Sequence, residues 1–197
     1  MKSIGLLVLR LVVGGLLAGH GAQKLFGWFG GNGLEGTGDW LESLGLRPGK
    51  RWAQLAGTSE FGGGVLTALG ALYPLGPLMT IGAMATATLK AHANKPIWVT
   101  EGGAELPVVN MAAASALVLA GPGALSIDRL FGMRIPKWMS LLFALAVAAG
   151  VSFAIRAPVI DEAGADAPEA AFQSDLDAPL DASLWPGDLP SSHTSGA

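Results

Sequence analysis

From Ile4 to Leu25 the chain is built almost wholly of Ile, Leu, Val, Ala and Gly, and its only exceptions are Arg10, His20, Gln23 and Lys24. A run of that length can cross the hydrocarbon core of a bilayer as a helix. Inside such a run an ionisable group is costly unless paired or wetted, so these polar residues are candidates for function. Arg10 interrupts the apolar core, and Gly19–Gly21 is a poor cleavage site of the small-x-small kind. The run therefore reads as a retained span and not as a removed signal.

Four further apolar runs follow, over residues 52–72, 78–91, 106–120 and 138–155, the last being 18 residues without a charge. Hydrophobic residues make up 51% of the chain and charged ones only 14%, against roughly a quarter charged in soluble domains. The predicted fold is all-α, a polytopic membrane helical bundle. It has a four-helix core over residues 1–132, a fifth span over 133–157 and an acidic tail over 158–197. All 12 Lys and Arg and 7 of the 15 acidic residues lie in 1–157, and the other 8 acids lie in the tail. Rich in Ala, Pro, Asp and Ser, the tail has too little apolar surface to order itself, so disorder is expected.

Several functions are excluded or weakened by composition. With no cysteine there is no disulfide, thiolate-held metal, cysteine-ligated cluster or thiol nucleophile. The basic residues are scattered singly at the ends of apolar runs, which is not a nucleic-acid footprint. No metal-ligand spacing such as HExxH occurs, so no metal site is expected.

Local signals give finer expectations. Pairs of small residues, Gly14–Ala18 and Gly15–Gly19, allow a neighbouring helix to approach the first span closely. Residues 37–44 suit a short interfacial helix capped by Thr37, with Trp40 at headgroup depth. Residues 73–77 form a proline-rich turn that makes the second and third spans an antiparallel hairpin. Residues 124–137 read as a polar connector.

If the spans alternate, most ionisable groups near them converge on one mouth of the bundle. On the helical wheel Lys24 lies about 40° and Arg10 about 80° from His20, so one stripe of the first span carries all three. Glu60 sits about 12 Å along its own helix from Trp52 at the usual helical rise, where a carboxylate must be paired, protonated or wetted. Two readings stay open: ion pairs that merely fix helix register, or a pocket for an anion, a quinone head group or a proton. The candidate site is Arg10, His20, Gln23, Lys24 and Glu60, with Lys90, His92 and Glu105 in a secondary role. In it Arg10 and Lys24 would hold negative charge, and His20 and Glu60 would relay protons.

The segment His20-Gly21-Ala22-Gln23-Lys24-Leu25-Phe26-Gly27 resembles the first-span signature of the DoxX family of small integral membrane proteins. Arg10, Glu60 and Gly121-Pro122-Gly123 followed by Leu125-Ser126-Ile127-Asp128 also fit that family's pattern, so the likeness covers residues 4–132. The resemblance implies a four-helix membrane bundle and, by analogy with a subunit of thiosulfate:quinone oxidoreductase, membrane redox work. The fifth span and acidic tail depart from it and put the C-terminus on the opposite side from that of a four-span member. The expected function is a non-catalytic, accessory or quinone- or small-anion-binding subunit of a membrane oxidoreductase system. Its expected setting is multi-pass in the plasma (inner) membrane, with quinone as the candidate cofactor and a redox subunit or a second copy as candidate partners. The alternatives are a small-solute transporter or exporter, and a membrane scaffold recruiting a soluble partner through its tail.

Overall fold

The structure, a computed structural model, describes residues 2–157; the tail expected over 158–197 lies outside the described residues. Within them the chain is all helical and contains no strand: α1 (Lys2–Phe26), α2 (Gly33–Ser43), α3 (Gly49–Leu69), α4 (Leu75–Lys90), α5 (Glu105–Ala120), α6 (Ile127–Phe131) and α7 (Lys137–Arg156). By length and composition two of them, α1 with 25 residues and α7 with 20, are apolar enough to cross a membrane. Both leave most of their apolar side chains uncovered, so neither is the buried core helix of a globular protein. Leu16 on α1 is 63% exposed and Phe153 on α7 is 71% exposed.

The tightest pairing is α1 against α3, and glycine makes it. A Cβ on Gly14 would run into the backbone of Gly64 and Ala68, and one on Gly21 into the backbone of Gly57 and Phe61. Gly64 in turn faces Gly14 and Ala18. Spacings of seven on both helices thus lock two antiparallel backbones together, the close approach that small residues permit when water is not there to drive association. Of the two small pairs read from the sequence, Gly14–Ala18 takes part. Gly15 and Gly19 face open space, because they sit on the other side of the helix. The triple glycine does not break α3 but serves two neighbours: Gly64 meets α1, while Gly63 meets Met79 and Gly76 of α4.

Around this pair α4 packs on α3, α5 on α4, and α5 lightly on α1, while α7 lies against α4. Val147 of α7 sits against Gly82 of α4, where a Cβ would meet it. The five long helices alternate in direction. One end, the base, holds the start of α1, the α3–α4 turn and α6; the other, the mouth, holds the ends of α1, α4 and α7 and the starts of α3 and α5. Ala154 of α7 is buried there with Leu41, Leu46 and Ala53, and Phe153 stacks on Trp52 with ring centroids 5.9 Å apart.

Three local expectations change. Helix α2 begins at Gly33, not at Thr37, and has no side-chain cap; Thr37 is buried within it. The proline-rich turn is shorter than expected, because Gly76 and Pro77 already lie in the first turn of α4, where a missing N–H costs nothing. The connector after α5 is not featureless. Ser126 caps α6 by accepting from Arg129 N at 3.2 Å, a Ser-plus-first-turn-Asp signal that the sequence carried.

Candidate functional site

Towards the mouth the helices line an open cavity of about 580 Å³. Its wall is mostly apolar, drawn from every long helix and from α2: Leu17, Leu41, Leu55, Met79, Ala87 and Val147 are representative. The ionisable groups on it are His20, Lys24, Glu60, Lys90 and His92. A large apolar space with a few convergent polar groups is the usual form of a small-molecule site.

Lys24 and Glu60 form the centre of the polar wall. The seven-residue glycine register between α1 and α3 brings the last turn of α1 beside the middle of α3, and Lys24 Nζ donates to Glu60 Oε2 at 2.5 Å. Glu60 is 4% exposed. The Lys24 side chain is 25% exposed, so it is removal of Lys24 that would strand a buried charge, the Glu60 carboxylate.

The other candidates separate into two groups. His20 is exposed at the cavity rim, and its Nδ1 donates to Gln23 Oε1 at 3.1 Å. Lys90 is buried and donates to the Ala157 carbonyl at the end of α7. His92 Nδ1 donates to the Gly102 carbonyl at 2.6 Å, which leaves Nε2 as an acceptor. Gln23 and Glu105 are not on the cavity wall. Gln23 Nε2 donates to the Phe29 carbonyl at 3.4 Å, tying down the turn after α1. Glu105 Oε2 accepts from Val99 N at 2.9 Å, fixing the α4–α5 connector.

Arg10 is not brought to this mouth. Fourteen residues before Lys24 on one helix, it lies about 21 Å away along the axis, at the base. Its Nη2 donates to the Leu125 carbonyl, and its guanidinium fills the space that Gly70 leaves by lacking a Cβ. Beside it Asp128 accepts from Leu72 N at 2.8 Å and Tyr73 N at 2.7 Å, and the Tyr73 hydroxyl donates to the Val118 carbonyl. Burial pushes the Tyr73 phenol above its ordinary pKa. The helical wheel placed Arg10 and Lys24 on one stripe correctly in angle, but angle carries no height.

Sequence reasoning passed over two contributors. Asn110 of α5 lines the cavity, although a lone amide in an apolar run was a visible signal. Helix α7 supplies Phe143, Val147, Gly150 and Val151 to the wall. Nothing in its uncharged sequence distinguished a cavity wall from a plain lipid-facing anchor.

Comparison with known proteins adds the family. The family model described as DoxX matches residues 5–93, a stretch that runs from α1 through α4 and so includes Lys24, Glu60 and Lys90. No curated protein and no solved structure matches the chain. Over those residues the chain is similar to the DoxX family.

Proposed function

We propose that this is a multi-pass protein of the plasma (inner) membrane and an accessory, non-catalytic subunit of an oxidoreductase system, whose cavity binds a quinone. Support for the multi-pass reading is the distribution of side chains. Large apolar residues cover the outside, as on Leu11, Val12, Val109 and Leu145, while Arg10, Glu60, Lys90 and Asp128 are all buried. Exposed aromatics occur at both ends, Trp28 and Trp98 at the mouth and Trp138 at the base, as expected of interfacial belts. Helices α4 and α5, of 16 residues each, are short for a span of about 20 and need local thinning of the bilayer.

The observation that carries the ligand reading is the cavity itself. A quinone has a flat head with two carbonyl acceptors and an apolar isoprenoid tail. The cavity offers about 580 Å³ of mostly apolar space with Lys24, Glu60 and His20 on its wall. Lys24 supplies donors to a carbonyl oxygen, and Glu60 and His20 would hold or pass protons at the head. A bound quinone would supply the electron-carrying chemistry; the chain's own groups bind, orient and exclude water.

The test is quinone binding by the purified protein, together with quinone-linked electron transfer in membranes, with and without Glu60→Gln. About tenfold weaker binding and slower transfer are expected, a loss of about 1.4 kcal/mol. Unchanged binding and unchanged rates would contradict the proposal.

A further inference from the structure

Charge along the cavity wall is unevenly balanced. Lys24 is neutralised by Glu60, but Lys90 has no carboxylate within salt-bridge reach among the described residues, whose ion pairs are Lys24–Glu60 and Lys50–Glu35. Lys90 is only 7% exposed. An ammonium has three N–H donors, and the Ala157 carbonyl takes one of them. A buried cation with no counter-charge among the described residues is costly, and here it faces an apolar space large enough for a ligand.

The surroundings of Lys90 define what would fit. Lys90, Thr86 and Gly82 lie on one stripe of α4, each four residues from the next, and all three line the cavity. From Lys90 the stripe runs about 12 Å toward the base before α7 closes on Gly82 through Val147. The walls along it, including Leu55, Ala83 and Val151, are apolar. Resting on the reading that the cavity binds a molecule with a polar head and an apolar tail, as proposed for a quinone, we infer that its preferred occupant is a single-chain amphiphile with an oxyanion head. The head, a carboxylate or a phosphate, is held by Lys90, and the chain lies along the α4 stripe. Lys24 and Glu60 cancel each other's charge, so discrimination between anionic and neutral heads falls to Lys90.

Displacement of a fluorescent fatty acid, cis-parinarate, from the full-length protein in nanodiscs tests this. The competitors are oleate, oleoyl lysophosphatidate, oleyl alcohol and a short-tailed ubiquinone analogue. An oxyanion should displace the probe at a concentration about tenfold below that of the alcohol, equivalent to about 1.4 kcal/mol. Which of oleate and lysophosphatidate is stronger identifies the head group. Lys90→Gln should remove the preference by weakening the oxyanions and sparing the alcohol, and Lys90→Arg should keep it. Equal displacement by alcohol and oxyanions in the unmutated protein overturns the inference, as does a preference that survives in Lys90→Gln. Displacement by the quinone analogue without an oxyanion preference overturns this inference alone. An oxyanion preference with no displacement by the quinone supports it and contradicts the quinone reading. Failure of the probe and of every competitor to bind overturns both.

Discussion

The two ends of the bundle handle buried charge in opposite ways. At the base, Asp128 accepts from two backbone N–H groups and Arg10 donates to a backbone carbonyl. The charges there stitch α1, the α3–α4 turn and α6 together, although Arg10 Nε and Nη1 meet no acceptor among the described residues, and the space beside Arg10 is about 10 Å³. At the mouth, Lys24, Glu60 and Lys90 line a space of about 580 Å³, and little backbone depends on them. Buried ionisable groups in an apolar chain thus fall into two kinds, distinguished by whether they border a large cavity. By that criterion the base is structure and the mouth is site.

The largest expected effect strikes both ends at once. Gly64→Val or Gly21→Val drives a branched side chain into the facing backbone, and overpacking of this kind costs about 1–3 kcal/mol or more. Both variants should lose monodisperse protein on detergent extraction, whereas Gly15→Ala, which faces open space, should extract as the parent does. Next in size is a change at the base alone. Asp128→Ala leaves the Leu72 and Tyr73 N–H groups without their acceptor, a loss of about 2–3 kcal/mol. Thermal unfolding should show it, with ligand affinity at the mouth unaltered in the folded fraction. An equal fall in ligand affinity would merge the two ends into one functional unit.

A smaller effect comes from pH. Burial raises the Tyr73 pKa, so the folded state keeps its phenolic proton to higher pH than the unfolded chain does. Its contribution is therefore full below the unfolded value near 10 and declines as pH rises through the folded value. Because the chain has one tyrosine, a spectroscopic alkaline titration reads Tyr73 directly and should show a midpoint above the ordinary one. Smallest of all is Lys50→Ala: Lys50 and Glu35 are exposed and 3.8 Å apart, so its loss should change stability by less than about 0.5 kcal/mol.

Much of this contrast was legible before any coordinates. Apolar runs bounded by Gly and Pro mark the helices, and alternation of direction is enough to collect Lys24, Glu60, Lys90 and His92 at one end. What stayed illegible follows from what a wheel and a run leave out. A wheel gives angle without height, so Arg10 looked like a neighbour of Lys24. Small-residue pairs are ambiguous until a partner helix selects a face, so Gly14–Ala18 and Gly15–Gly19 looked equivalent. Hydrogen-bonding residues such as Glu105 read as site groups when their partners are nearby backbone. The uncharged α7 offered no signal for the wall it forms.

The central claim is that α1 and α3 deliver Lys24 and Glu60 to each other at the wall of the cavity, and exchanging their charges tests it most directly. Lys24→Glu and Glu60→Lys should each lower thermal stability and quinone affinity, while the double exchange should recover much of both. A coupling of about 1–3 kcal/mol between the sites is the predicted result. Strictly additive losses, with the exchanged protein worse than either single variant, would contradict the pairing.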